Sequence, residues 1–280
     1  MTALSHPAST SPSLPALFVS HGAPLFAIEA GTTGPALTHW GQVLRERSPQ
    51  LRGVVIMSPH WMARSPAVMT GATPATWHDF GGFPPALYAL QYPAPGAPAL
   101  AREVLALLHQ AGIGAVGDAE RPFDHGAWVP LMHLFPEADL PVVQVALPAE
   151  AGPAEVYAMG AALRGLREQG VLVMGSGSMT HNLREFFGGG HEPAPYVLAF
   201  SRWIEAAVVR GDVSALLDYR RQAPDAQRAH PTEEHFLPLF FALGAAGEGW
   251  QADYLSREVM YGMLAMDAFE LQTPGPAAQA

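Results

Sequence analysis

Twelve histidines and no cysteine give this chain an unusual set of metal ligands. With thiolates excluded, imidazole and carboxylate are the strong ligands left to it. Three of the histidines share one setting. His21 follows the apolar run 17–19 in Ser20-His21-Gly22-Ala23-Pro24, and His60 follows the run 53–57 (GVVIM) in Ser58-Pro59-His60-Trp61. His181 follows the run 171–174 and the break Gly175-Ser176-Gly177-Ser178. An apolar strand ending in a turn that carries a polar residue is how open α/β sheets display chemistry at the carboxyl ends of their strands. Three neutral imidazoles at one sheet edge could converge on a divalent first-row metal. Taken singly, such a histidine more often caps a turn or donates to a backbone carbonyl. The repetition carries the metal reading.

Two further histidines stand where a polar residue needs a reason. His125 lies in Asp124-His125-Gly126-Ala127-Trp128, and His235 follows Glu233 and Glu234. That last segment offers an imidazole or a carboxylate ligand, although the glutamates read more simply as a solvated first helical turn favoured by the helix dipole. His78 and His230 neighbour candidate sites and could orient a ligand. His6, His39, His109, His133 and His191 read as surface or helix-face residues. Ser176 is not a nucleophile elbow, which requires G-x-S-x-G, and the same turn matches no dinucleotide or phosphate loop.

The elements that must position these residues alternate. Strands are expected at 17–19, 53–57, 67–70, 113–116, 142–147, 171–174 and 263–271. Helices are expected at 35–47, 98–110, 153–169 and 196–210, with one more ending near Gly244. Pro238 must either start that last helix or kink it. The aromatic, proline-rich stretch 77–96 is long for a loop, and such loops tend to be functional or mobile. With no repeat and no linker, this order gives a single α/β domain, a central mixed β-sheet flanked by helices, over residues 15–272. Segments 1–14 and 273–280 are expected to be disordered tails.

With 280 residues and 49% apolar content, one large core is available. A formal charge of -10 with 15 Lys plus Arg and no basic cluster argues against nucleic acid or an anionic membrane as partner. No apolar stretch nears the roughly 20 residues of a membrane span. The start of the chain lacks the pattern of a signal peptide, so a cytoplasmic protein is expected.

Seven stretches, in order, resemble the class III extradiol ring-cleavage dioxygenases of subunit-B type, and within them the 4,5-DOPA dioxygenase-like group. They are the His21 and His60 motifs already quoted, His78-Asp79-Phe80-Gly81-Gly82-Phe83-Pro84, and Gln91-Tyr92-Pro93-Ala94-Pro95-Gly96. Asp124-His125-Gly126-Ala127-Trp128-Val129-Pro130-Leu131, Ser176-Gly177-Ser178-Met179-Thr180-His181-Asn182-Leu183 and Glu234-His235-Phe236-Leu237-Pro238-Leu239 follow. The resemblance implies a metal in a cleft at the sheet edge, with His21, His60 and His235 as ligands. It places His181 beside the metal as a fourth ligand or the acid/base, and His125 within reach of substrate or oxygen. Many relatives use two His and one Glu; here His235 takes the third place. The implied activity is Fe(II)-dependent cleavage of a catechol, DOPA-like, by O2, with a small aromatic diol as the partner molecule. An all-imidazole site also suits Zn(II) as the bound metal. Trp61, Phe80, Phe83 and Trp128 would wall a ring-shaped pocket or pack the core. A zinc-dependent hydrolase, or a non-catalytic Memo-like binding protein, are the alternatives.

Overall fold

The computed structural model describes residues 13–186 and 192–274, and its strands are β1 (Ala16–Ser20), β2 (Gly53–Ala63), β3 (Ala67–Met69), β4 (Val116–Asp118), β5 (Val142–Pro148), β6 (Val171–Gly177), β7 (Gln251–Ser256), β8 (Val259–Met260), β9 (Leu264–Ala265) and β10 (Ala268–Gln272). Eight of them form one mixed sheet in the order β4-β3-β5-β2-β6-β1-β10-β7, while β8 and β9 pair separately. At its centre β5, β2, β6 and β1 run parallel to one another. Their sequences are near-continuous apolar runs because helices cover both faces of a parallel sheet. The flanking pairs, β3 with β5 on one side and β1 with β10 and β10 with β7 on the other, are antiparallel. The consequence for the site is geometric. The carboxyl ends of β1, β2 and β6, each followed or tipped by a histidine, lie side by side on one edge.

Two strands run on where the sequence suggested turns. β2 continues through Ser58-Pro59-His60-Trp61 to Ala63, with its register against β5 shifting between Ser58 and Met62. Pro59 has no N–H for the ladder, so the irregularity falls where proline requires it. β6 continues through Gly175-Ser176-Gly177. Its glycines serve close approach rather than a turn, because a Cβ at Gly175 would run into the Pro238 carbonyl oxygen and one at Gly177 into that of His235. The helix Pro238–Ala246, buried along its whole length, starts at Pro238 and presses on this strand; proline at the first helical position resolves the expected conflict. Gly175→Ala is therefore expected to destabilise the protein by about 3 kcal/mol, as overpacking does. Urea unfolding checks this, and a wild-type midpoint would contradict the close approach.

Other expectations shift in detail. The helix expected over 153–169 is an α-helix only for Pro153–Ala162 and continues as 3-10 turns over Arg164–Gln169. The short strand expected at 113–116 falls at Val116–Asp118. The last expected strand divides into β9 and β10 around Met266-Asp267. Strands β7 and β8 went unforeseen. Leu14, assigned to the loose N-terminal segment, is 1% exposed and its carbonyl accepts from Arg167 Nε at 2.6 Å. Most of both tails, together with His6 and His191, lie outside the described residues. Among the described residues no helix is long and apolar enough to cross a membrane.

Candidate metal centre

His21 begins at the end of β1, where its N–H donates to the Gly177 carbonyl at 2.9 Å and its side chain is fully buried. His60 projects from the irregular part of β2, and His235 from the turn that leads into the Pro238–Ala246 helix. Their Nε2 atoms meet. His60 Nε2 lies 3.2 Å from His21 Nε2 and 3.3 Å from His235 Nε2. Their Nδ1 atoms all turn outward to oxygen: His21 to Ser176 Oγ at 3.0 Å, His235 to Glu234 Oε1 at 3.0 Å, and His60 towards Asp79 Oδ2 at 3.6 Å.

This donor set fits a cation. A carboxylate only accepts, so Glu234 and Asp79 favour the proton on Nδ1 of His235 and His60. The Nε2 atoms of those two rings then face each other as bare lone pairs, an arrangement that repels unless something positive lies between them. Burial first, and neighbouring imidazoles second, hold His21 and His235 far below the ordinary imidazole range. His60 is lowered to about 3, by burial and by His125, with Asp79 opposing. All three are neutral at pH 7 and available to a metal.

His181 and His125 complete the cluster. The His181 ring stacks on that of His235, centroids 3.5 Å apart and planes 7° from parallel, and its N–H donates to the Ala229 carbonyl. Its pKa is lowered to about 4 by burial, against the pull of Glu234. His125 opens the helix His125–Leu134, capped by the Asp124 carboxylate, which accepts from Ala127 N. Its ring lies 3.9 Å from that of His60. Both His125 N–H and Nδ1 are 2.9 Å from Asp79 Oδ1. Burial alone would raise Asp79; the hydrogen bonds and charge of His125 outweigh it and hold the carboxyl below its usual value. His125 joins His21 and His60, and His181 joins Glu234 and His235, in the two groups whose ligand atoms lie within 4.8 Å of one another.

Several functional partners were not singled out in the sequence. Asp79 serves two imidazoles at once. Asp124, fully buried, accepts from Ser58 Oγ at 2.8 Å and from Arg121 at 2.6 Å, and takes a further contact from Gln144. Arg121 lies between the rings of Trp61 and Trp77, 4.9 and 5.0 Å from their centroids, and donates to the His60 carbonyl. Together these contacts fix the irregular piece of β2 that carries His60. The glutamates before His235 correct the expectation of a solvated first turn. The helix starts only at Pro238, Glu234 is half-buried against His235 Nδ1, and Glu233 accepts from the Tyr219 hydroxyl at 2.7 Å.

Other candidates separate from the cluster. His78 Nε2 donates to the Leu90 carbonyl, and the fully buried His230 donates to that of Met179. His109 and His133 likewise bind the backbone oxygens of Ala115 and Phe26. Of the four aromatics, Phe80 alone is both half-buried and in ring contact with the cluster, 5.6 Å from His125, with Phe83 stacked edge-on behind it. Trp128 is core, its Nε1 donating to the Trp77 carbonyl, and Trp61 lies under Arg121.

An open α/β sheet that gathers neutral imidazoles at one edge, with the three converging rings tied back through Nδ1, has the build of a metal-dependent α/β enzyme. Residues 15–266 match the family described as the catalytic LigB subunit of aromatic ring-opening dioxygenase, and the chain belongs to that family as an extradiol ring-opening enzyme. It is 36% identical over 255 residues to a 4,5-DOPA dioxygenase extradiol of Beta vulgaris, covering 90% of this chain and 94% of that one. The protein of the same name from Escherichia coli (strain K12) is 37% identical over 241 residues, 84% of this chain and 86% of its own. A crystal structure of an uncharacterized protein from Escherichia coli K12 superposes with a TM-score of 0.76 at 31% identity, covering 92% of this chain and 99% of that chain. The family is metal-dependent and its enzymes join an aromatic substrate with O2. Ring opening, rather than hydrolysis or a purely binding role, is what this membership supports.

Proposed function

We propose that this chain cleaves a catechol of the DOPA type with O2, using Fe(II) held by His21, His60 and His235. The observation that carries the reading is the convergence of three Nε2 atoms whose Nδ1 partners all face oxygen. His21, His60 and His235 would hold the ion, and a ferrous ion there would supply the electron that O2 needs. The protein's own part is proton handling and placement. His181, unprotonated at pH 7, would take a proton from a catechol hydroxyl and hold it for return to an oxygen atom that came from O2. His125, its Nδ1 held by Asp79, presents Nε2 to substrate or oxygen from beside His60. Phe80 offers an aromatic face next to His125, suited to a planar ring.

An all-imidazole donor set is neutral and binds Zn(II) as readily, but zinc passes no electron. Metal-free protein reconstituted anaerobically with Fe(II) is expected to consume O2 with DOPA in step with a yellow ring-opened product. The same protein loaded with Zn(II) is expected to bind metal stoichiometrically and consume none. Oxygen electrode traces and product absorbance check both. Absence of uptake with any catechol in the iron-loaded form would defeat the substrate assignment, and uptake by the zinc form would defeat the redox role of the metal.

A further inference from the structure

His60 and His235 face carboxylates through Nδ1, and a carboxylate can only accept. His21 differs, because its Nδ1 meets the Ser176 hydroxyl at 3.0 Å, and a hydroxyl donates or accepts. If Ser176 donated to Nδ1, the single proton of neutral His21 would sit on Nε2 and the lone pair facing His60 would be gone. A second contact decides the direction. Ser176 Oγ also lies against the carbonyl oxygen of Gly126. That oxygen has no proton to give, so the hydroxyl proton belongs to this contact and Nδ1 must be the donor.

The Gly126 carbonyl is open to Ser176 for a reason written in the sequence. In an α-helix the carbonyl of residue i is taken by the N–H of residue i+4. Gly126 lies in the helix His125–Leu134, and four residues on stands Pro130, inside the helix and without an N–H. The proline leaves one carbonyl unclaimed at the helix's start, pointing at β6. Ser176 is fully buried there, two residues into the glycine-flanked end of that strand.

We propose that Pro130, Gly126 and Ser176 form a tautomer lock on His21: the missing helix N–H frees the carbonyl, the carbonyl orients the hydroxyl, and the hydroxyl forces the His21 proton onto Nδ1. Ser176 is thus a positioning residue that acts through His21, and Pro130 acts through both. The proposal rests on the reading of His21 as a metal ligand only for its consequence, since the lock itself is a property of the metal-free protein.

The test uses metal-free full-length protein labelled with 15N at histidine, in which long-range proton–nitrogen correlation reports which ring nitrogen of each histidine bears hydrogen. Wild-type His21 is expected to carry it on Nδ1. Ser176→Ala is expected to admit the Nε2–H form at His21 alone and to lower Zn(II) affinity, read by competition with a chromophoric chelator, by roughly 10–100-fold, the usual cost of losing an orienting partner. Pro130→Ala restores a competing N–H for Gly126, so a smaller loss of affinity is expected without a fall in melting temperature, which a merely structural defect would not produce. Wild-type His21 protonated on Nε2, or Ser176→Ala with unchanged tautomer and zinc affinity, would overturn the lock. Should wild-type protein hold His21 in the Nδ1–H form yet bind no zinc, the lock stands and the ligand reading falls.

Discussion

His60→Ala is expected to abolish ring opening and to weaken metal binding by more than roughly 100-fold, beyond the cost of losing an orienting partner. The size follows from position. His60 Nε2 is the atom that touches both other converging nitrogens, at 3.2 Å to His21 and 3.3 Å to His235. Without it two ligands remain, and Asp79 and Arg121 hold an empty place. The metal-free variant should nevertheless fold. The His60 side chain is 21% exposed, so truncation opens a void that water reaches. Acid behaviour offers a second readout. The folded pKa of His60, about 3, lies far below that of an unfolded chain. Such a group gives stability that is complete above the unfolded value near 6.5 and is lost as pH falls towards the folded one. Metal-free His60→Ala lacks that liability and is expected to lose less melting temperature than wild type between pH 7.5 and pH 5.5. Inductively coupled plasma analysis, oxygen uptake and melting curves in chelator check these points. Near-normal activity would remove His60 from the ligand set.

How much of this was legible in the sequence depends on the range over which each feature is determined. Val54-Val55-Ile56-Met57 and Val171-Leu172-Val173-Met174 are fully buried parallel strands, and a parallel strand covered on both faces must be apolar at every position. β7, Gln251–Ser256, is an edge strand with one of its six residues buried, so no comparable run announces it. Pro98–Gln110 was readable at both ends because proline starts it and Gly112 follows it. The extensions of β2 and β6 were not, since Pro59 and the two glycines look like turn residues until the carbonyls of Pro238 and His235 are brought against them.

The same division runs through the site. His21, His60 and His181 were visible as histidines at strand ends. Their partners were not, because Asp79 lies 46 residues from His125 and Ser176 lies 155 residues from His21. Nothing local distinguishes an orienting carboxylate from a solvated one. Glu234 shows the hazard at shortest range. Adjacent to His235 and ahead of an apolar helix, it had the pattern of a first turn, yet the helix starts later and the intervening turn folds the carboxylate back onto His235 Nδ1.

His181→Gln is expected to lower turnover by about 10²–10⁴, the span typical of a general acid–base residue, while metal affinity changes far less. The geometry sets His181 apart from the three converging rings. It lies flat against His235 at 3.5 Å, and its backbone is held to Ala229, so its place does not depend on a bound metal. Burial lowers its pKa to about 4 in the free protein, which makes it a poor proton acceptor until charge arrives. A catechol that loses a proton beside it becomes that charge, and an anion within a few ångströms raises an imidazole pKa back towards neutrality. Proton uptake is thereby tied to substrate binding. The acid limb of kcat/KM, which reports the free enzyme, should accordingly lie at lower pH than the acid limb of kcat, which reports the complex. Glutamine keeps the shape and a hydrogen-bonding end but titrates nowhere in the working range, so in the variant the acid limb assigned to His181 should vanish from both profiles. If His181 were instead a required fourth ligand, metal affinity would fall in proportion to turnover. Zinc competition and steady-state pH profiles on the same variant separate these outcomes, and His125→Gln, whose Asp79 partner is already engaged, supplies the comparison for which of the two imidazoles carries the proton.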